Sequence, residues 1–297
     1  MFGLNVYVLC TITLITGFLI HFSRGAYSKK TSQDLPNLWS FNLFQNLFSL
    51  ITVLIIFVLT DNINGFSIFS VTVGALMGIV NVITLYASLR AYNEGPFSYT
   101  TVVVSLSVLM PTLSGLFYGE NISVFQYAGI VMMVFCIVLS PENNNAHEKS
   151  SLKWLLWSTL ATVTAGMVGI FQKIHQSSAQ HSSEMAAFLI SCFATSVFLC
   201  FICYSTECKK ANQKILNFKL HYLQILGGFS NAASHSINIY LVGVLPAVII
   251  FPVVNLIPMI FLILSSVVIF KEKLSVRRWL GVGTGIVSTM LLSGIFN

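Results

Sequence analysis

Ten runs of about 20 mostly apolar residues, separated by polar connections, make up most of this 297-residue sequence. Each run is long enough to cross about 30 Å of hydrocarbon as a helix. Stretches such as LITVLIIFVL lack the alternation of apolar and polar residues that a membrane β-barrel requires. The sequence therefore predicts an all-α membrane protein with ten transmembrane helices, at 4–23, 38–59, 66–89, 97–118, 122–140, 154–173, 185–205, 221–242, 246–270 and 276–296.

The composition argues against the main classes of soluble protein. Apolar residues make up 56% of the chain and charged residues only 8%, whereas a soluble surface needs about 25% charged residues. We therefore expect the lipid bilayer as the environment of the chain and no nucleic acid as a partner. Five of the six cysteines lie inside apolar runs, where a thiol packs as a small hydrophobic group.

Matching motifs recur in the two halves of the chain at a nearly constant offset. The segment GIVN at 78–81 corresponds to GFSN at 228–231 at an offset of 150. The segment GENISVFQYAG at 119–129 corresponds to KEKLSVRRWLG at 271–281 at an offset of 152. Such a constant offset indicates an internal duplication.

The duplicated unit contains five predicted helices. Because five is odd, the second copy enters the membrane from the opposite side, and inverted repeats of this kind are typical of secondary transporters. We therefore predict a first five-helix repeat at 1–140, a linker at 141–153 and a second five-helix repeat at 154–297.

The basic residues concentrate on one predicted face of the membrane. Fourteen of the 15 Lys and Arg residues lie at or after the ends of the first, third, fifth, seventh and ninth helices, and only Lys173 lies on the other side. By the positive-inside rule, the basic face is cytoplasmic and both termini lie outside the cell. The expected location is the plasma membrane, which the chain crosses many times.

Polar side chains inside the predicted helices are the candidates for a substrate path, because they are costly in hydrocarbon. Asn81 and Asn231 occupy matching positions in the two repeats, where a pseudo-symmetric cavity would present both amides. The eighth helix also carries Ser234, His235 and Asn238 on the same face.

His21 in the first helix and Thr84 in the third helix complete the set of candidates. An imidazole titrates near neutral pH, so the two histidines leave proton or ion coupling open. The alternative interpretation is structural, since small and polar residues allow helices to pack closely and to form hydrogen bonds with their own backbone.

The acidic residues indicate which chemistry is absent. All nine Asp and Glu residues lie in connections or at helix ends, so no carboxylate is available in mid-membrane for a metal site or an aspartyl dyad. We therefore predict no enzyme activity, no catalytic residue, no metal and no cofactor. The sequence contains no GxxxxGK[ST] motif for ATP.

Ser123 with Gln126, three residues later, predicts a helix capping box.

Three further motifs occur at matching or characteristic positions. A glycine precedes a basic residue by seven positions in helices one and six, as Gly17 to Arg24 and Gly166 to Lys173. The segment ASLRAYNEGPFSYTTVVVSLSVLMP leads into helix four. The two Glu-x-hydrophobic-Ser turns, Glu120 to Ser123 and Glu272 to Ser275, are each followed by a glycine. In these features the chain resembles the EamA-type transporters of the drug/metabolite transporter superfamily.

The resemblance implies a fold and a general function. It implies that helices one to four and six to nine surround a central cavity, while helices five and ten lie at the edge. Members of the family export amino acids, other metabolites or toxic compounds, or carry nucleotide sugars, and their termini often lie in the cytoplasm, opposite to the charge distribution here. We expect a secondary transporter, monomeric or homodimeric, that exports a small organic metabolite by alternating access. The alternative is an intramembrane enzyme or a protein that handles lipid head groups.

Overall fold

The computed structural model describes residues 5–30, 34–59, 65–94, 100, 103–104, 106–119, 122–139, 152–212, 222–254 and 276–292. These residues are helical apart from short turns, and they contain no strand, as the sequence predicts. The helical segments are α1 (Val6–Lys30), α2 (Leu35–Leu59), α3 (Ile68–Glu94), α4 (Leu106–Tyr118), α5 (Val124–Leu139), α6 (Leu152–Gln176), α7 (Met185–Lys210), α8 (Tyr222–Val244), α9 (247–254) and α10 (Val276–Leu292).

Five of these helices are long and apolar enough to span a membrane, namely the greater part of α1 and the whole of α2, α3, α6 and α7. At 23 residues, α8 also has the necessary length, but its amide, hydroxyl and imidazole side chains make it less apolar. The continuous described part of α4 begins at Leu106, and Thr100, Val103 and Val104 before it are also helical, within the run predicted from residue 97. Residues 255–275, which complete the predicted ninth helix, lie outside the described part of the chain.

Helices α1, α3 and α7 extend further than predicted at their basic ends, and α3, predicted to end at residue 89, continues to Glu94. The sequence predicts connections from residue 24 and from residue 206, but α1 continues to Lys30 and α7 continues to Lys210. The last turn of α7 contains an i,i+3 ion pair between Glu207 Oε1 and Lys210 Nζ at 2.7 Å. Such i,i+3 ion pairs stabilise a helix. The helix can continue beyond the hydrocarbon because its charged side chains reach water while its backbone stays hydrogen-bonded.

The contacts that a helix of the first half makes with the second half have equivalents, in which the matching helix of the second half contacts the first half. α3 packs against α6 and α7, and its counterpart α8 packs against α1 and α2. α4 packs against α6, and Phe251 of α9, the counterpart of α4 in the predicted repeat, belongs to the same apolar cluster as Leu9 of α1. The remaining large contacts, α2 with α7 and α5 with α10, each join a helix to its own counterpart.

Gly78 and Gly228 bring the two halves into backbone contact. A Cβ on Gly78 would lie 2.4 Å from a carbonyl oxygen of α7, and a Cβ on Gly228 would lie 2.6 Å from a carbonyl oxygen of α2. Ser196 of α7 donates a hydrogen bond to the Gly78 carbonyl at 3.0 Å, and Ser49 of α2 donates one to the Gly228 carbonyl at 3.0 Å. Both copies of the motif therefore make the same small-residue contact, which is how helices associate in lipid.

α5 and α10 pack mainly against each other. Ser288 Oγ of α10 donates a hydrogen bond to the Gly129 carbonyl of α5 at 2.7 Å. The predicted capping box at the start of α5 is confirmed, because Ser123 N donates to Gln126 Oε1 at 3.0 Å and Gln126 N donates to Ser123 Oγ at 3.3 Å.

The basic ends of the described helices gather at one end of the bundle. Tyr27 and Leu89, near the ends of α1 and α3, form an apolar cluster with Phe41 and Leu223, near the starts of α2 and α8. The last turns of α7 pack at the same end, where Tyr204 contacts the first half of α2. The starts of α3 and α7 and the end of α6 therefore lie at the opposite end.

Candidate functional site: the polar interior of the bundle

The two predicted amides, Asn81 and Asn231, are both buried against α2. Asn81 is 5% exposed, and its Nδ2 donates a hydrogen bond to Oδ1 of Asn46 at 3.2 Å. Asn231 is 2% exposed, and its Nδ2 donates to Oγ of Ser49 at 3.2 Å. The structure thus brings the matching positions of α3 and α8 to one face of α2. Their hydrogen bonds join helices, so both amides have a structural contribution whatever else they do.

The polar face of α2 is a feature that the predicted candidates missed. Asn42, Gln45, Asn46 and Ser49 lie at helical spacing on one face and are fully buried. Asn46 Nδ2 also donates to the Asn42 carbonyl at 2.8 Å. The side-chain amides of Asn42 and Gln45 have no hydrogen-bond partner among the described residues. Their i, i+3, i+4, i+7 spacing was a signal that the sequence carried.

His235 connects α8 to two further helices. Its Nδ1 lies 2.9 Å from Nε2 of Gln172 in α6, and its ring meets the edge of Phe193 in α7 with a centroid separation of 5.8 Å. Because the amide Nε2 donates, this hydrogen bond assigns Nδ1 as the acceptor. Gln172 was not among the predicted residues, since no motif marks it in the sequence.

The remaining candidates in α8 and α3 form hydrogen bonds within their own helices. Asn238 Nδ2 donates to Ser234 Oγ at 3.5 Å, and Oδ1 of Asn238 has no partner in the described part of the chain. Thr84 Oγ1 donates to the Val80 carbonyl one turn earlier at 2.9 Å. The Thr84 hydroxyl is therefore satisfied locally, and Asn238 retains an acceptor that a ligand can use.

His21 and Arg24 lie one turn apart on α1. Both side chains are partly exposed, whereas Nδ1 of His21 and Nε of Arg24 are buried without a hydrogen-bond partner among the described residues. The Arg24 charge acts on the imidazoles of His21 and His235 and interacts with the Tyr92 phenol. The guanidinium therefore lies where α1, α3 and α8 meet. The structure thus places the two predicted histidines in the electrostatic field of one cation.

A second polar cluster lies at the end of the bundle opposite the basic residues. The Glu184 carboxylate accepts hydrogen bonds from the Ser67 amide at 3.2 Å, from the Ser67 hydroxyl, and from the Ser70 hydroxyl at 2.6 Å, all at the start of α3. Ser70 Oγ also lies 3.1 Å from Nε2 of His175 in the last turn of α6. The serine hydroxyls lower the pKa of Glu184 to about 2, so the carboxylate is ionised at neutral pH.

The position of Glu184 also has an electrostatic consequence. It directly precedes α7 and caps the start of α3, so its negative charge lies at two helix N-termini. No local sequence pattern marks this cluster, because more than 100 residues separate Glu184 from the serines that bind it.

Comparison with known proteins assigns part of the chain to a family. A model described as the EamA-like transporter family matches residues 152–294, which include α6, α7, α8 and α10. The second half of the chain belongs to this family. EamA-like proteins are membrane transporters of the drug/metabolite transporter superfamily, so the resemblance inferred from the sequence is confirmed over residues 152–294. Together with the five apolar helices of membrane length, this match indicates a multi-pass membrane protein.

The likeness of fold extends beyond the EamA-like half. A solved crystal structure aligns with 96% of this chain and 99% of its own chain, at a TM-score of 0.67 and 13% sequence identity. At this identity the alignment shows a common fold only. No curated protein matches the chain.

Proposed function

We propose that this EamA-like protein is a secondary transporter that exports a small organic metabolite across the plasma membrane by alternating access. Two inverted five-helix repeats, 1–140 and 154–297, move against each other around the polar interior. In inverted-repeat transporters each repeat provides one gate and the substrate binds near the midplane between them.

The observation that carries this proposal is the exchange of packing partners between the two halves. α3 meets α7 through Gly78 as α8 meets α2 through Gly228. Two arrangements related by such an exchange have similar energies, because the separation of one of these helix pairs is matched by the closure of the equivalent pair. A polar interior at the centre of such a bundle is reached first from one side and then from the other.

The Glu184 cluster supports a gate at one end of the bundle. It fastens the connection between α6 and α7 to the start of α3. The counterpart of Glu184 in the first half is Asp34, at an offset of 150. The Asp34 carbonyl accepts a hydrogen bond from Leu38 N at 3.2 Å, as the Glu184 carbonyl does from Phe188 N at 3.2 Å. We assign Asp34 to the corresponding gate at the basic end.

The polar interior is the proposed substrate path. Within it, Asn81 joins α3 to α2 of the same half, and Asn231 joins α8 to α2 of the other half. His235 bonds to α6 and packs against α7. The other proposed contacts are His21, Ser234, Asn238 and, with its hydroxyl already bonded, Thr84.

Export is tested by mass spectrometry of culture medium and cell extracts from cells that express the wild-type protein, Asn81→Ala or Asn231→Ala. Ile79→Ala and Phe229→Ala are matched controls, because these neighbouring side chains are 40% and 59% exposed on the outside of the bundle. We expect wild-type cells to release at least one metabolite that empty-vector cells retain. We expect release to fall about tenfold in the Asn variants and to be unchanged in the controls.

Two results would contradict the proposal in different ways. If wild-type cells and empty-vector cells release the same metabolites at the same rates, the protein is not an exporter. If both Asn variants export at the wild-type rate, the two amides do not contribute to the substrate path.

The proposed orientation places both termini outside the cell, because the basic helix ends gather at the other face. A fluorescent reporter that folds only in the cytoplasm tests this placement when fused to the C-terminus. We expect no fluorescence, and a bright signal would reverse the orientation.

A further inference from the structure

Arg24 is an enclosed cation without an anionic partner among the described residues. Within that part of the chain its guanidinium makes no ion pair, and its Nε has no hydrogen-bond acceptor. The acids within the described helices occur only in terminal turns, since Glu94 ends α3 and Glu207 pairs with Lys210 at the end of α7. Arginine stays ionised in proteins, and an enclosed charge is destabilising unless an opposite charge compensates it.

Two polar groups near Arg24 also lack partners in the part of the chain that the structure describes. They are Nδ1 of His21, one turn earlier, and the side-chain amide of Gln45, which is fully buried. A Cβ on Gly227 of α8 would lie 2.7 Å from Oγ of Ser23 and 3.6 Å from Cδ of Gln45. The Gln45 amide therefore lies beside the residue that precedes Arg24, where α1, α2 and α8 meet.

A buried amide without a partner is unfavourable, as is an enclosed charge without a counter-ion. Arg24, His21 and Gln45 can all be satisfied at once by a group that carries negative charge and accepts several hydrogen bonds. A carboxylate and a phosphate both have these properties, whereas a cation would be repelled and a neutral apolar group would leave the charge uncompensated.

We infer that Arg24, with His21 and Gln45, recognises the anionic group of the transported metabolite, so that the substrate class is small organic anions. This inference rests on the proposed function and names the substrate class for the same polar interior. The guanidinium presents a planar fork to two oxygen atoms, and the imidazole and the amide supply further hydrogen bonds. Like-charge repulsion at Arg24 then rejects organic cations.

Binding to the purified full-length protein in detergent tests the inference without requiring transport. Thermal unfolding is followed by tryptophan fluorescence with succinate, glutamate and inorganic phosphate as anionic probes, succinamide as a neutral probe and cadaverine as a cationic probe. A ligand that binds the folded state raises the melting temperature. We expect at least one anion to raise it and the neutral and cationic probes to leave it unchanged.

The pattern among the anions identifies the anionic group. Stabilisation by succinate or glutamate alone assigns a carboxylate, stabilisation by phosphate alone assigns a phosphate, and both results support the inference. Stabilisation by none of the anions, or equal stabilisation by succinamide or cadaverine, overturns it.

Variants of Arg24 separate recognition from a structural contribution. We expect Arg24→Gln to bind the anion at least about tenfold more weakly, equivalent to about 1.4 kcal/mol, and Arg24→Lys to lose less because it keeps the charge. Arg90→Gln is the matched control, since Nε of Arg90 already donates to the Tyr86 hydroxyl at 3.0 Å. This control should bind as the wild type does.

Stability without any probe provides a second readout. Arg24→Gln removes an uncompensated charge, so we expect it to melt at or above the wild-type temperature. A melting temperature well below that of the wild type would make the guanidinium a structural group and overturn the inference.

Failure of this inference differs from failure of the proposed function. Export of the same metabolites at the same rates by Arg24→Gln would contradict the inference and leave the transporter proposal intact. Anion binding by a wild-type protein that exports nothing would contradict the transporter proposal and leave the binding site intact.

Discussion

Replacing Gly78 or Gly228 with alanine tests the backbone contacts that join the two halves of the molecule. The new Cβ would lie 2.4 Å or 2.6 Å from a carbonyl oxygen of the facing helix, whereas ordinary contact begins at 3.4 Å. The helices would have to separate by about 1 Å to accommodate the methyl group. The obstructing atoms are backbone carbonyl oxygens and, at Gly228, also the Cβ of Phe48. None of them moves when a side chain changes its rotamer, so no such change can relieve the overlap.

Two opposing terms determine the size of the effect. Overpacking costs about 1–3 kcal/mol, and replacing a helical glycine with alanine contributes about 1 kcal/mol in favour of folding. The hydrogen bond from Ser196 to the Gly78 carbonyl, now 3.0 Å long, would also stretch as the helices separate. We therefore expect each variant to lose about 1–2 kcal/mol of unfolding free energy relative to the wild type.

The free energy of unfolding is measured by titration with SDS in mixed micelles and followed by circular dichroism. Gly283→Ala in α10 is the matched control, because no atom lies within 4 Å of the Cβ it would gain. We expect this control to be as stable as the wild type or up to about 1 kcal/mol more stable. If Gly78→Ala and Gly228→Ala are as stable as Gly283→Ala, the helices are not in backbone contact and the reasoning is wrong.

Three further variants test individual contacts. The Glu184 pKa of about 2 lies below its ordinary value of 4.5, so ionised Glu184 stabilises the fold above pH 4.5 and this contribution is lost as the pH falls towards 2. Melting curves of wild type and Glu184→Gln should therefore differ at pH 7 and converge on acidification, and a constant difference would contradict the assignment. Ser288→Ala removes the hydrogen bond to the Gly129 carbonyl, and we expect a loss of about 1 kcal/mol in the SDS titration; no loss would mean that this bond does not stabilise the α5–α10 pair. Ser123→Ala removes half of the capping box with Gln126, and we expect a loss of about 0.5–2 kcal/mol, whereas a variant as stable as the wild type would show that the cap is dispensable.

Much of the local structure could be predicted from the sequence, because local patterns determine it. A run of about 20 apolar residues satisfies its backbone hydrogen bonds in lipid only as a helix, and so α1, α2, α3, α6 and α7 were predictable. Ser123 and Gln126 lie three residues apart, so their capping interaction was predictable as well. The stripe Asn42, Gln45, Asn46 and Ser49 was equally visible, although it was not among the predicted candidates.

Helix ends were less predictable, because hydropathy marks the hydrocarbon boundary and not the last hydrogen-bonded turn. α1 and α7 continue past that boundary to Lys30 and Lys210. The backbone of these turns stays paired within the helix while the lysine side chains reach water.

The sequence by itself determined that this chain is a helical membrane protein, and its repeated motifs marked Gly78 and Gly228, Asn81 and Asn231 as corresponding positions. Only the tertiary structure decided which side chains meet. Gln172 reaches His235 across 63 residues, and Glu184 reaches Ser70 across 114 residues. No local pattern encodes such contacts, because they depend on the order and depth in which whole helices pack. The same packing encloses Arg24 without a counter-ion among the described residues. For this reason Arg24, which the sequence marks only as a basic residue at a helix end, is the centre of the proposed binding site.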